Sequence, residues 1–274
     1  MNMIKITDVE FKLLAEYIKE HSGIHLKNEK KTLLVSRLSH IVSELKMNDF
    51  MTYYKYLQDD QDGKKLSGLI DKVTTNHTYF MREAEHFSCF AESVLPFWEN
   101  NNKNNKDLRI WCAASSTGEE PYTLAMILED YFKKKNEKWD KKLLATDLSL
   151  NVLNQAEKGI YASDKIKLLP KTWTLNYFDK ISSDSYQVKS SLRKEVVYRR
   201  FNLLEPTFPF KKKFHVIFCR NVMIYFDNET KEQLINKLYN HLEYGGYLFI
   251  GHSESINKER TKFKYIKPSV YRKI

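Results

Sequence analysis

The sequence predicts an α/β chain, with a parallel sheet covered by helices on both faces and a small all-helical domain in front of it. Three observations predict this. Residues 7–70 show helical spacing and no strand candidate. After Asn105, strand-like and helix-like stretches alternate. A polar run, "ENNNKNNKD" at Glu99 to Asp107, stands just before the first strand candidate. Alternation argues for parallel pairing, because each parallel crossover needs a return of about helix length.

In the front part, "DVEFKLLAEYIKEHSG" puts Val9, Leu13, Leu14, Tyr17 and Ile18 at helical spacing, and Gly23 suits a left-handed stop. "KNEKKTLLVSRLSHIVSELK" repeats the pattern with Leu33, Leu34, Leu38, Ile41, Val42 and Leu45. "NDFMTYYKYLQ" starts on an Asn/Asp cap, and "GKKLSGLIDKVTT" gives a last short helix. Further on, the strand candidates are Leu108 to Ala113, Lys142 to Thr146, Val196 to Phe201, Phe214 to Cys219 and Tyr247 to Ile250. The helix candidates are Pro121 to Lys135, Leu150 to Lys158 and Glu229 to Glu243. Gly245-Gly246 is expected to end the last helix, and the tail "YIKPSVYRKI" to add an edge strand.

Composition narrows the class. The 274 residues include 17 Tyr and 16 Phe, and no apolar run nears the ~18 residues of a membrane helix. The N-terminus turns polar too soon for a signal peptide. Cys89, Cys112 and Cys219 are scattered, with no zinc-like spacing, which fits a reducing cytoplasm. Of the net charge of +10, residues 1–72 hold 12 basic against 11 acidic groups, so +1; the remaining 33 against 24 give +9. Short clusters such as Lys133 to Lys135 and Lys211 to Lys213 carry the excess. They read either as solvated surface or as attraction to an acidic partner, protein or nucleic acid.

The most informative stretch is "RIWCAASSTGEEPYTLAM", Arg109 to Met126: a strand, a small-residue loop with Gly118, and a helix start with Pro121 in its first turn. Ligands of open parallel sheets sit at such loops. Neither a P-loop nor a G-x-G-x-x-G pattern is present, and Glu119 and Glu120 would repel a pyrophosphate. Asp147 ends the next strand, 29 residues past Gly118, where an acid holds a ribose diol in nucleoside-binding α/β folds. A ribose without a pyrophosphate, plus an amino group to neutralise, describes S-adenosylmethionine.

These residues carry a resemblance. "WCAASSTGEEPYTLAM", "TTNHTYFMREAEHF", "ATDLSLNVLNQAEKGIY", "FHVIFCRNVMIYFDNET" and "GGYLFIGHSES" occur in the order and style of the chemotaxis-receptor glutamate O-methyltransferases, the CheR type. The resemblance implies a Rossmann-like S-adenosylmethionine-dependent methyltransferase domain, a helical N-terminal domain and a small antiparallel β-insertion. It divides the chain into residues 1–72, a linker 73–90 that contributes to the donor site, and a methyltransferase domain 91–274 with the insertion around 170–200. It also implies methyl transfer from S-adenosylmethionine to receptor glutamates, leaving S-adenosylhomocysteine, by a cytoplasmic monomer without metal, nucleic acid or membrane insertion.

A glutamate carboxylate, with a free pKa of about 4.3, is already a nucleophile at neutral pH, so positioning matters more than a general base. By resemblance, Asn76, Thr78 and Arg82 lie at the donor's sulfonium end, where Arg82 orients a carboxylate. Glu120, with Glu119 as the substitute, meets the donor's amino-acid end, and Asp147 takes the ribose hydroxyls. Asn202 and Leu203 flank the adenine. Arg220 and Asn221 end a strand at the ligand edge, and the Tyr225 hydroxyl orients the incoming carboxylate. His252 is read as a rim or a structural residue. Lys27, Lys30, Lys31 and Arg37 are expected along one basic helix facing an acidic receptor helix bundle. The insertion region has no glycine, which argues against a receptor tethering peptide there. Rival readings are a nucleic-acid methyltransferase, for which no flipped-base motif is found, and a non-enzymatic sensor, against which Arg82, Asp147 and Tyr225 stand together.

Overall fold

Thr7 begins the first helix: its side chain accepts the Glu10 N–H at 3.2 Å while the Glu10 carboxylate takes the Thr7 N–H at 2.7 Å. This reciprocal cap fixes the start of α1, Asp8–Ser22. The computed structural model describes residues 4–74, 76–133, 135 and 138–274. Thr75, Lys134 and the 136–137 pair, which touch the expected linker motif and the end of the Pro121 helix, lie outside them. After α1 come α2 (Lys31–Glu44), α3 (Phe50–Gln58, capped by Asp49) and α4 (Lys64–Val73). Their shared core holds Phe11, Leu14, Ile18, Leu34, Leu38, Val42, Phe50 and Leu57. Val9, Leu33 and Leu45, expected on that face, are exposed, and Phe11 is buried in their stead. Gly23 ends α1 at φ 75, where a side chain would also come within 2.9 Å of the Phe226 ring. No helix among the described residues is long and apolar enough to cross a membrane.

An extended linker leads into α5 (Ala84–Cys89) and α6 (Leu95–Asn101), joined by a π-helical turn at Phe90–Val94. The alternating part follows: β1 (Ile110–Ala113), α7 (Glu119–Lys133), β2 (Leu143–Asp147) and α8 (Leu150–Lys158). Next come β3 (Ile160–Ala162), α9 (Ser163–Ile166), α10 (Lys171–Tyr177), β4 (Phe178–Lys180), β5 (Ser185–Val188) and α11 (Ser190–Arg193). The chain closes with β6 (Val196–Arg200), β7 (Phe214–Phe218), α12 (Asn228–His241), β8 (Leu242–Phe249), β9 (Lys264–Lys267) and β10 (Val270–Arg272).

Among the described residues, seven strands form one sheet in the order β6-β2-β1-β7-β8-β10-β9. The pairs from β6 to β8 are parallel, and β10 and β9 join antiparallel. Both faces are buried, so successive side chains feed different cores. Ile110, Cys112, Val216 and Phe218 join the cluster that includes residues of α5, α6, α7 and α8. Trp111, Ala113, Ile217 and Cys219 join the cluster around α12. The chain reverses order beside β1, because β2 lies on one side and β7 on the other. This is where open sheets bind ligands.

Three local expectations are corrected. α12 stops at His241, and Gly245-Gly246 lie inside β8, where the register with β7 slips between Phe214 and Val216. Gly245 at φ 83 thus serves a bulge rather than a helix stop. The tail supplies the expected edge strand, β9, and one strand more, β10, which stands between it and β8. The small sheet, β3-β5-β4, begins at Ile160 and ends at Val188, while Val196–Arg200 belongs to the main sheet.

Candidate active site

A cleft of about 1080 Å³, counting its open mouth, lies at the carboxyl ends of β1, β2, β6 and β7. Ser22 at the end of α1, Ile24 just beyond it, Ile70 of α4 and the linker from Asn76 to Arg82 form its other wall. The helical unit is bound to the sheet domain there. The His25 N–H donates to the Tyr225 carbonyl at 2.8 Å, the Leu150 N–H to Ser67 Oγ at 3.0 Å, and Arg200 to the Gly63 carbonyl at 2.9 Å.

The loop after β1 is shaped by backbone choices that residues with a Cβ resist. Ala114 (φ 125), Ser116 (φ 48) and Gly118 (φ 98) all have positive φ. At Gly118 a Cβ would come within 2.7 Å of the Tyr161 hydroxyl and 2.9 Å of Ala156 Cβ, so the glycine is required by conformation and by space. Met81, Glu83 and Asn221 are also left-handed, so strain gathers around this cleft. The Ser115 and Ser116 hydroxyls and Arg220 Nε are buried without a hydrogen-bond partner.

Asp147 closes β2. Its carboxylate accepts the Ser116 N–H at 2.9 Å and the Ser149 N–H at 3.0 Å, leaving lone pairs toward the cleft. Burial raises its pKa, and the bonds from Ser149, Ser116 and Leu148 only partly oppose that shift. Glu120 lines the cleft from the first turn of α7, where the helix N-terminus favours an acid. Glu119 points elsewhere: it is buried, bonded to Thr117 Oγ1 at 2.6 Å, and burial raises its pKa.

Arg220 is only 4% exposed. Its Nη1 donates to Glu120, and its Nη2 to the Arg82 carbonyl at 2.5 Å and to Glu83 at 3.0 Å. Burial works against its charge, but the two carboxylates outweigh it and raise the pKa. Asn221 Nδ2 donates to Glu83 at 3.2 Å. Cys112, beneath the loop, donates its thiol to Glu120 at 3.0 Å, and burial raises its pKa strongly.

Ten of the residues singled out from sequence line this one cleft: Asn76, Thr78, Arg82, Glu120, Asp147, Asn202, Leu203, Arg220, Asn221 and Tyr225, whereas Glu119 and His252 do not. Arg82 donates to the His77 carbonyl at 2.6 Å. Tyr225 is half-buried in a short 3-10 turn, Met223–Tyr225. The amide of Asn202 is already engaged: it donates to the His21 carbonyl at 2.8 Å and accepts the Leu204 N–H at 3.0 Å. Asn202 therefore ties α1 to the sheet domain as well as facing the cleft.

Two carboxylates were not singled out from sequence. Glu83 receives Arg220, Asn221 and the His252 N–H. Burial alone would raise its pKa, but Arg220 and Asn221 bring it below the usual range. Glu254 collects the N–H groups of Gly251 (2.6 Å), Met223 (2.7 Å), Asn221 (2.9 Å) and Ile224 (3.3 Å), and so holds the turn that carries Tyr225. Their only sequence signal was membership of "MREAEHF" and "GHSES". Glu83, His86 and His252 also bring potential metal-ligand atoms within 4.8 Å of one another, although Arg220 already occupies the Glu83 carboxylate.

The basic helix is thinner than expected. Lys27 and Lys30 precede α2, Lys31 pairs with Asp8 at 2.6 Å, and Arg37 turns inward to the α4 carbonyls of Lys72 (3.2 Å) and Val73 (2.5 Å).

Sequence comparison agrees with this architecture. Residues 76–272 match the family described as CheR methyltransferase, SAM binding domain, and residues 9–74 match CheR methyltransferase, all-alpha domain. A chemotaxis protein methyltransferase of Borreliella burgdorferi is 42% identical over 272 residues, covering 98% of this chain and 96% of that protein. A chemotaxis protein methyltransferase of Escherichia coli is 32% identical over 271 residues, covering 98% and 92%. Chemotaxis protein methyltransferase 2 of Vibrio cholerae is 32% identical over 264 residues, covering 96% and 91%.

Proposed function

The chain belongs to the CheR methyltransferase family and carries its S-adenosylmethionine-binding domain; from that premise we propose that it methylates side-chain carboxylates of glutamates in the cytoplasmic helix bundles of chemotaxis receptors. Methyl esters and S-adenosylhomocysteine are the products, and the protein acts in the cytoplasm as a monomer. One observation carries the reading. Acids, amides and a tyrosine from five separate stretches of chain line a single cleft at the sheet's switch point, with buried serine hydroxyls left unpartnered.

The chemistry offered by these groups suits the donor. Asp147 has lone pairs for two ribose hydroxyls. Glu120 accepts from the donor's ammonium group, Arg220 and Asn221 bound the ligand edge beside it, and Asn76 and Thr78 lie at the sulfonium end. Leu203 gives the adenine an apolar wall, and Asn202 contributes the polar valence its own bonds leave over. Arg82 pairs with the incoming carboxylate, which the Tyr225 hydroxyl orients in line with the sulfonium. The carboxylate oxygen attacks the methyl carbon as the carbon–sulfur bond breaks, and its electron pair stays on sulfur. No proton moves, so no general base is needed. Excluding water from the carboxylate raises its reactivity.

Incubation with methyl-labelled S-adenosylmethionine and receptor cytoplasmic domains tests the proposal. Base-labile label on receptor glutamates is the expected result. Label on DNA or RNA, with none on receptor, overturns it.

A further inference from the structure

The buried ion cluster of the cleft is asymmetric. Arg220 is one guanidinium shared by two carboxylates, Glu120 on Nη1 and Glu83 on Nη2. Asn221 Nδ2 and the His252 N–H donate the remaining hydrogen bonds to Glu83. His86 packs beside them with its pKa lowered to about 3, chiefly by burial and then by Arg220, so it adds no positive charge at neutral pH. The three ionic groups sum to one negative charge.

That surplus has a consequence for binding. A lone Glu120–Arg220 pair would be mutually neutralised, and a donor ammonium would have to compete with the guanidinium for Glu120. A second carboxylate on the far side of Arg220 satisfies the guanidinium without Glu120. Glu83 is built for this. It sits at φ 58, next to Arg82 and two residues from Met81 at φ 61, a backbone that non-glycine residues hold only under constraint. Arg220 clamps the same turn through the Arg82 carbonyl.

We propose that Glu83 is a positioning residue: it holds Arg220 and the Arg82 turn, and its charge raises the affinity of the cleft for the cationic donor relative to the neutral-sulfur product. The proposal rests on the donor-site reading above. S-adenosylmethionine and S-adenosylhomocysteine differ by one methyl group and one positive charge, so their affinity ratio reports the charge of the cleft, whereas a merely structural role moves both affinities together.

The test is calorimetry of both ligands with the wild type, Glu83→Gln and Glu83→Asp. Glu83→Gln keeps shape and one acceptor oxygen but removes the charge. Its ratio of S-adenosylmethionine affinity to S-adenosylhomocysteine affinity should fall on the order of tenfold relative to wild type, the effect of one unit charge at about 10 Å in an effective dielectric near 20. Glu83→Asp should restore most of the ratio. An unchanged ratio in Glu83→Gln, whether both affinities fall equally or neither falls, overturns the charge role. A wild type that binds neither ligand overturns the donor-site reading itself, a different outcome. Thermal unfolding of each variant guards against misfolding, and if Glu83→Gln does not fold, the comparison of Glu83→Asn with Glu83→Asp decides, with the lower ratio expected in the amide and equal ratios overturning the charge role.

Discussion

Asp147→Asn separates what the cleft does for the fold from what it does for the ligand. The wild-type carboxylate accepts two backbone N–H groups and offers its remaining lone pairs to the cleft. Two hydroxyls bound to a charged acceptor contribute about 1.5–3 kcal/mol each at most. The amide keeps one oxygen and loses the charge, so roughly 2–3 kcal/mol of binding should vanish. That is about 30- to 150-fold in the Kd for S-adenosylhomocysteine, readable by calorimetry. The fold should suffer little. One backbone N–H loses its partner, but burial already penalises the charge, as the raised pKa shows, so removing it offsets the loss. Stability without ligand should stay within about 1 kcal/mol of wild type. pH gives a second handle. Because the folded pKa is raised, protonation in acid reaches Asp147 earlier than an ordinary aspartate. Wild-type affinity should therefore drop as pH falls through that raised value, and the variant should lack the drop. A variant Kd within threefold of wild type refutes the ribose role.

Tyr225→Phe deletes one hydroxyl at the domain junction. Single-turnover methylation should slow about tenfold with S-adenosylhomocysteine affinity near normal, and an unchanged rate leaves the ring as packing. Gly118→Ala forces a Cβ against Tyr161 and Ala156 at φ 98, so unfolding in denaturant should show a loss of about 2–4 kcal/mol and donor binding should weaken; a neutral substitution refutes the close fit. His215 is buried with its pKa lowered to about 3, by burial first and then by Arg109, and it accepts the Arg109 N–H at 2.9 Å. Unfolding therefore takes up a proton between about pH 6.5 and 3, and stability is lost as pH falls through that window. His215→Asn keeps an acceptor and should flatten the stability profile there by about 1.4 kcal/mol per pH unit; parallel profiles refute it. Reversing Lys27, Lys30 and Lys31 to glutamate should lower receptor methylation roughly fivefold at low salt and leave S-adenosylhomocysteine binding intact; unaffected methylation moves the docking face elsewhere.

What could be read from sequence follows how far apart the causes lie along the chain. The place of Asp147 at the cleft was legible because a strand end followed by a helix cap is a local pattern, and that of Glu120 because an acidic pair follows a small-residue strand-to-helix loop. Glu83 was not legible: its partner Arg220 stands 137 residues away, and nothing nearby marks a carboxylate for burial. Gly245-Gly246 was misread because a left-handed glycine after a helix looks the same whether it ends the helix or bulges the next strand. Periodicity identified the right helices but not the depth of each side chain, so Val9 and Leu33 were assigned to a core they face away from. The small sheet escaped exact bounds because β3 and β4 are three residues long, too short for period-two patterning to register.

Arg37 shows why charge alone misidentifies a docking face. By composition it belongs with Lys27, Lys30 and Lys31, yet its guanidinium caps the carbonyls of Lys72 and Val73 at the end of α4. Helix C-termini leave such carbonyls unpaired, and a cation there is favourable. Asn76, at the cleft, follows Val73 by three residues, so Arg37 joins α2 to the end of the helix that feeds the cleft-lining loop. Reversing Arg37 together with the lysines would disturb that loop and lower methylation whether or not α2 meets the receptor. A reversal confined to the three lysines leaves the α4 cap in place, so any loss of receptor methylation with donor affinity intact reports docking.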